Sequence, residues 1–342
     1  MEKVEPNIRF AVIGINHPHI YGQVNLLLRA GAEFVSFYAP EPDLVAQFAA
    51  AYPEVRQTGS AEEILEDETI QLLVTAAIPN ERAPLGLAAM RHGKDVMSDK
   101  PGFTSLAQLA EVRRVQQETG RIYSICFSER LENPATVKAG ELIQAGTIGH
   151  VIQTIGLGPH RIRLGTRPDW FFRREQYGGI LTDIASHQVD QFLYFTGSTA
   201  AEVVAAQVAN YKHPHYPELE DFGDMVLRGN GGTGYIRVDW YTPDGLSTWG
   251  DGRLTILGTG GYIELRKYCD LAGRPGGNHL FLVDQTGTHY FDCSQVDLPY
   301  GRQLVHDILH RTETAMTQPH CFLASELALQ AEAQAQRLGY LI

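Results

Sequence analysis

A set of short apolar runs in the first 127 residues restricts the fold more than anything else in the chain. Ile8 to Ile15 (IRFAVIGI), Phe34 to Tyr38, Leu72 to Ala77, Val96 to Ser98 and Ile122 to Phe127 are apolar with little alternation. Such runs read as strands buried on both faces. Helical stretches separate them. One carries Leu26, Leu27 and Leu28 and stops at Gly31. Another runs from Asp43 to Tyr52 behind Pro42, and Ser60-Ala61-Glu62-Glu63 is a capping box that starts a third. Arg82 to His92 and Ser105 to Thr119 complete the set. Strands alternating with helices mean an α/β unit with a parallel, doubly wound, Rossmann-like sheet. Ligands of such a sheet sit beyond the carboxyl ends of its strands.

The turn after the first strand is therefore the place for a phosphate cradle. A dinucleotide loop has the pattern Gly-x-Gly-x-x-Gly, and this chain has Gly14-Ile15-Asn16-His17-Pro18-His19. Only the first glycine is present. Asn16 reaches a positive φ less easily than glycine, and His19 fills space that the third glycine leaves open. Ala39 stands where the ribose-binding acid is expected, and Glu41 follows two residues later. These features predict NAD over NADP, held with a weakened ribose contact.

The second half of the chain changes pattern. Glu132 to Ala145 reads as a helix and Val151 to Leu157 as a strand. Alternating runs at Val203–Ala209, Gly223–Arg228, Gly234–Tyr241, Arg253–Leu257, Tyr262–Arg266 and Leu280–Val283 are broken by Gly- and Pro-containing turns. They predict an α+β domain with a largely antiparallel open sheet, whose free face meets another subunit in a homodimer or homotetramer. Within this half lies Gly178-Gly179-Ile180-Leu181-Thr182-Asp183-Ile184-Ala185-Ser186-His187-Gln188-Val189-Asp190. On one helix, Leu181, Ile184, Ala185, Val189 and Phe192 form an apolar side, while Asp183, His187 and Asp190 share the other. A carboxylate one turn from an imidazole can orient it and raise its pKa, which suits proton transfer. The plainer alternative is a core helix whose polar side meets solvent.

The loop before that helix carries His160, Arg161, Arg163, Arg167, Asp169 and Trp170. Its arginines suit a substrate carboxylate or phosphate, although surface ion pairs are the more ordinary use. The triplets His17-Pro18-His19 and His213-Pro214-His215 invite a metal reading, but neither lies near a cysteine. No metal is expected. Ser325 to Leu338 reads as a last helix that packs back on the first domain.

Composition sets the outer bounds. A chain of 342 residues, 44% hydrophobic and 20% charged, has room for two domains. Its net charge of −12 argues against nucleic acid and anionic membrane as partners. The four cysteines are widely spaced without a Cys-x-x-Cys pair, as in a reduced, cytoplasmic protein. No run approaches the ~18 apolar residues of a membrane span, and no signal peptide is expected.

Several of these stretches together resemble the Gfo/Idh/MocA family of sugar and polyol oxidoreductases. Gly93-Lys94-Asp95-Val96-Met97-Ser98-Asp99-Lys100-Pro101 is similar to the family's Gly-Lys-His-Val…Glu-Lys-Pro, with Asp99 in place of the glutamate. Pro79-Asn80 resembles its Thr-Pro-Asn turn, and Gly140 to Gly149 resembles the opening of its second domain. Gly178 to Asp190 resembles Gly-Gly-Gly-x-Leu-x-Asp-x-Gly-x-His-x-x-Asp. The resemblance spans nearly the whole chain. It implies a hydride transfer between NAD or NADP and a carbohydrate, sugar acid or cyclitol carbon. It makes Lys100 the lysine at the reacting hydroxyl and gives Asp183 and His187 the other catalytic places. Gly14, Ile15, Asn16, His17, His19, Pro79, Asn80 and Asp99 would then meet the cofactor, and Arg161, Asp169, Trp170 and Asp190 the polyhydroxylated substrate. The expected domains are 1–128 for the dinucleotide, 129–320 for substrate and assembly, and 321–342 as the returning helix. A redox-neutral sugar elimination with tightly held NAD, and a sugar- or nucleotide-sensing protein without turnover, are the alternatives. Similar proteins also lead us to expect a cis Lys100–Pro101 bond.

Overall fold

The computed structural model describes residues 7–339. They divide into two compact units, one made of the chain up to Cys126 plus Pro299–Phe322, the other of Phe127–Leu298 plus the chain from Leu323.

The first unit alternates as expected. It contains β1 (Arg9–Ile13), α1 (His19–Arg29), β2 (Glu33–Tyr38), α2 (Pro42–Ala51), β3 (Arg56–Gln57), α3 (Ala61–Glu66), β4 (Leu72–Thr75), α4 (Pro79–Arg91), β5 (Asp95–Asp99), α5 (Leu106–Thr119) and β6 (Tyr123–Cys126). Its strands are all parallel, in the order β3-β2-β1-β4-β5-β6. The order reverses between β1 and β4, which places the ligand crevice at the loops after these two strands. The strands β1, β4, β5 and β6 are buried almost throughout, which is why their sequences lack alternation. Local signals set several ends. Ser60 Oγ accepts from Glu63 N, and Glu63 Oε1 accepts in return from Gly59 N, one residue before the reciprocal partner of a standard capping box. Ser105 caps α5 in the same way.

The second unit opens with α6 (Ser128–Leu131) and α7 (Pro134–Gln144), not the single helix expected from Glu132. Pro134 lacks the N–H that a continuing helix needs, and Asn133 caps the new start by accepting from Thr136 N. Then follow β7 (Val151–Pro159), α8 (Arg174–Tyr177), α9 (Ile180–Asp183), α10 (Ala185–Thr196), β8 (Ala201–Ala209), β9 (Phe222–Gly229), β10 (Thr233–Asp239), β11 (Arg253–Gly258), β12 (Tyr262–Arg266), β13 (His279–Asp284) and β14 (Gly287–Asp292). The sheet has nine strands in the order β14-β13-β12-β11-β7-β10-β9-β8-β15, counting β15 (Gln336–Leu338) at its edge. Only the β7–β10 and β8–β15 pairs are parallel. Helices α7, α9 and α10 pack on this sheet.

Between β14 and β15 lie α11 (Tyr300–His310) and α12 (Gln318–Gln334). The return to the first unit is made by the segment containing α11, whereas the expected boundary was residue 321. Gly301 sits against Leu26 of α1, Tyr300 Oη lies 2.8 Å from Ser124 Oγ, and Arg311 grips Asp95 with two bonds. From Leu323 on, the chain groups with the second unit. The expected helix to Leu338 ends at Gln334 instead, because residues 336–338 pair with the sheet edge at β8. Among the described residues, no helix is long and apolar enough to cross a membrane.

Candidate active site

In the first unit the loop after β1 is built around Gly14. Its φ is +82°, and a Cβ there would lie 2.4 Å from the Ala77 Cβ, so glycine is required on both counts. Gly14 N donates to Tyr38 O, and its carbonyl accepts from Ala76 N, which ties together the ends of β1, β2 and β4. Where the second and third glycines of a dinucleotide loop are missing, side chains have taken over. Asn16 Nδ2 donates to Glu41 Oε1 at 2.6 Å. The other Glu41 oxygen is buried and has no hydrogen-bond partner among the described residues, and the same holds for Asn80 Oδ1. His19 does not wedge inward. Its ring is partly exposed and meets Asp99 Oδ1 at 3.0 Å.

Asp99 is the centre of a charged cluster. Arg82, fully buried on α4, places Nη2 3.2 Å from Asp99 Oδ2 and donates to the carbonyls of Ala77, Lys100 and Pro101. Burial alone would raise Asp99, but His19 and Arg82 outweigh it and hold the carboxyl well below the usual range. His17 is driven well below the ordinary imidazole value by burial and by His19. Its Nδ1 accepts from His19 N, which suits a neutral ring. His17, His19 and Asp99 bring three ligand-type atoms within 4.8 Å of one another, yet the Arg82 guanidinium already supplies a cation there. Arg82 also fastens the turn that carries Lys100, which is buried, and the Lys100–Pro101 bond is cis.

In the second unit the motif helix differs from its sequence reading. It is interrupted at Ile184, giving α9 and α10, and its polar residues do not face solvent. Leu181, Ile184, Ala185, Val189 and Phe192 are buried as expected, but so are His187 and Asp190. Asp190 is locked by Arg130, whose Nε and Nη2 meet its two oxygens at 2.6 and 2.8 Å. That guanidinium also lies over the Tyr194 ring. Asp190 is thus held inside the unit by Arg130. Asp183 is half-buried and close enough to Arg167 to support its charge, against the burial that lowers it.

A carboxylate whose field reaches His187 and His160 is that of Glu129 on α6, which no motif marked. Glu129 Oε2 accepts from Lys267 Nζ at 2.6 Å and from Gln188 Nε2 at 3.0 Å, and Lys267 also donates to Gln191 Oε1. Burial raises the Glu129 pKa, but Lys267 and then His187 overcome it and bring it down to about 2. Gly156 and Gly158 of β7 make this network possible, because a Cβ at either would strike the Gln188 side chain.

Two further acids hold the start of the motif helix. Glu220 Oε2 accepts from Ile180 N and Glu332 Oε2 from Leu181 N, each at 2.9 Å. These are two of the amides a helix start leaves without intrahelical partners. Arg174 reaches both carboxylates, at 2.7 and 2.8 Å, and Arg337 reaches Glu220. Burial and the charge of Glu220 push Glu332 up to about 8, so it carries a proton at neutral pH. Gly179, at φ +97°, leaves room for the Glu332 carboxyl, which any Cβ there would hit.

The arginine loop before the helix is largely occupied with its own shape. Arg161 Nη2 donates to Pro243 O and Leu246 O, and Arg167 donates to Ile162 O while stacking on Phe171 and Trp240. Asp169 is exposed at the start of a 3-10 turn, and Trp170 meets the edge of Phe171. His213 of the second triplet bonds Asp221 at 2.9 Å as part of a loop.

Comparison with known proteins agrees with this geometry. Residues 8–127 match the oxidoreductase family with an NAD-binding Rossmann fold, and residues 136–264 match the GFO/IDH/MocA C-terminal domain. Scyllo-inositol 2-dehydrogenase (NAD(+)) of Bacillus subtilis is 26% identical over 306 residues, which cover 86% of this chain and 85% of that protein. A crystal structure from Erwinia carotovora atroseptica SCRI1043 superposes with a TM-score of 0.95 at 50% identity, covering 97% of this chain and 100% of that one. Levoglucosan dehydrogenase in complex with NADH and L-sorbose shares the fold at a TM-score of 0.76 and 17% identity, covering 96% and 97%. With both halves matched in their order along the chain, this protein belongs to the GFO/IDH/MocA oxidoreductase family.

Proposed function

We propose that this oxidoreductase is an NAD-dependent dehydrogenase that moves a hydride to or from a hydroxyl-bearing carbon of a sugar, sugar acid or cyclitol. The observation that carries the reading is the loop at the sheet's switch point. Gly14 keeps the left-handed turn and the close packing on Ala77 that bring the loop after β1 against the end of β4, and Glu41 Oε2 and Asn80 Oδ1 are buried acceptors with no hydrogen-bond partner among the described residues. These residues fit a dinucleotide. Gly14, Ile15, Asn16, His17 and His19 would line its phosphates, Glu41 would accept from the adenosine ribose, and Pro79, Asn80 and Asp99 would flank it. The ribose contact that the sequence seemed to lack is thus supplied from two residues further along. Glu41 and the neighbouring Glu81, raised by burial and by Glu41, disfavour a 2′-phosphate. NAD is therefore preferred to NADP.

NAD, when bound, supplies the redox chemistry. Lys100 donates a hydrogen bond to the reacting oxygen and stabilises the developing alkoxide. His187 takes the hydroxyl proton, and the negative charge of Glu129 favours the imidazolium that results. Asp183 lies one turn from His187 and accepts from the substrate or the ring. The relatives support this class of substrate through a cyclitol dehydrogenase and an anhydrosugar dehydrogenase. Exposed apolar residues on the second-unit sheet, among them Ile152, Ile155, Val204, Val226, Leu257 and Tyr262, suit a second copy of the chain, giving a homodimer or homotetramer.

The test is NADH formation from NAD with scyllo-inositol, levoglucosan and a panel of sugars and sugar acids. Turnover with at least one compound is expected. Cofactor binding without turnover of any compound would remove the dehydrogenase reading.

A further inference from the structure

The Glu129 network is saturated on one side only. Glu129 Oε2 holds Lys267 and Gln188, while Glu129 Oε1, fully buried, has no hydrogen-bond partner among the described residues. Gln188 Oε1 and Gln191 Nε2, in the same network, are likewise buried without one. A buried polar atom left unsatisfied costs on the order of 1–3 kcal/mol, and native chains rarely gather several in one network without something to meet them. Here the open atoms are two acceptors and one donor.

That set matches hydroxyl groups, each of which both donates and accepts, and opposes a carboxylate, which only accepts. Charge points the same way. Lys267 neutralises Glu129, so the pair offers no net positive charge to an acid. Arg130 is spent on Asp190, and Arg161 and Arg167 on loop carbonyls. Aromatic rings complete the surroundings. Tyr268 is half-buried within the electrostatic reach of Glu129, the Trp249 ring centre lies 4.5 Å from that of Tyr268, and the His160 ring centre lies 4.4 Å from that of Trp249. Such faces pack well on the C–H surface of a sugar ring.

We propose that Glu129 Oε1 accepts a hydrogen bond from a substrate hydroxyl, and that the Glu129–Lys267 pair selects a neutral sugar or cyclitol over a sugar acid. This narrows the dehydrogenase reading and rests on it.

The experiment measures initial rates of the full chain at saturating NAD with neutral compounds (scyllo-inositol, levoglucosan, D-glucose) and acids (D-gluconate, D-glucuronate). Two variants accompany it. Glu129→Asp keeps the charge beside Lys267 but withdraws the open oxygen, and Glu129→Gln keeps the reach but removes the charge. The wild-type chain should favour a neutral compound in kcat/KM. Both variants should raise its KM by about 10- to 100-fold; in Glu129→Asp, which keeps the charge beside His187, this change should make up most of the loss in kcat/KM, whereas Glu129→Gln should lower kcat as well. Glu129→Gln should also narrow the preference for neutral compounds over acids. Thermal unfolding confirms that both variants fold. An acid used as well as any neutral compound overturns the inference while leaving the dehydrogenase intact, as does an unchanged KM in both folded variants. If no compound yields NADH, the dehydrogenase reading falls, and ligand-observed NMR with the same panel decides selectivity. Acids bound as tightly as neutral compounds, or no binding of either, then overturns it.

Discussion

The loop after β1 and the helix pair α9–α10 depart from their sequence patterns in opposite ways. The loop carries only one glycine of its sequence signature, and side chains stand where the other two would be: Asn16 ties to Glu41, and His19 ties to Asp99. The helix pair keeps most of its signature, yet its surroundings are not those the spacing implies. His187 and Asp190 lie inside the unit, and their neighbours Glu129, Arg130 and Lys267 come from distant parts of the chain. A motif identifies residues that are close in sequence. It does not identify the groups that fix their charge and orientation.

The largest expected effect would break this picture of the helix. Arg130→Ala leaves the Asp190 charge buried without its two-bonded partner, so stability should fall by about 3–5 kcal/mol, read by denaturant or thermal unfolding. A loss within about 0.5 kcal/mol, typical of a surface pair, would mean that Asp190 is not held as described. Next in size, Lys100→Ala should lower turnover about 10²- to 10³-fold with little change in NAD affinity. Equal losses in both would make Lys100 a cofactor-holding residue.

A third prediction sharpens the helix side of the comparison through pH. Glu332 is raised from an ordinary 4.5 to about 8, first by burial and then by Glu220. Between these values the folded chain keeps a proton that the unfolded chain has released, so stability falls as pH rises through that window. Glu332→Gln keeps an acceptor for Leu181 N and cannot ionise. It should flatten the decline, gaining about 2–4 °C in melting temperature over the wild type at pH 8 relative to pH 5. Parallel pH curves for the two proteins would show that Glu332 is ionised in the fold.

What the sequence made legible follows the same division. The buried strands, the capping box at Ser60 and the position of the Gly14 turn depend on neighbours a few residues apart, and all stand in the structure. Glu129 and Lys267 are 138 residues apart in the chain, and nothing local to either announces a pair. Arg82 looked like one more helix residue, although it is fully buried and holds the Lys100 turn. Glu41 was visible only as an acid in the wrong place, until its bond to Asn16 fixed it beside the loop. The polar side of α10 was legible, but periodicity does not say whether that side meets water or buried partners.

The smallest expected effect belongs to the loop. Glu41→Gln should weaken NAD by about tenfold, a difference of ~1.4 kcal/mol, while affecting NADP less or even improving it. This contrast separates a ribose contact from a merely structural bond to Asn16, which glutamine can retain.

On the reading proposed above, a loop with one glycine still forms a working NAD site. Calorimetric titration of the folded chain with NAD and with NADP tests it most directly. Binding of NAD is expected, with NADP weaker by about tenfold or more. Tighter binding of NADP would contradict the role given to Glu41, and binding of neither would contradict the cofactor site itself and leave a sugar-sensing protein as the better reading.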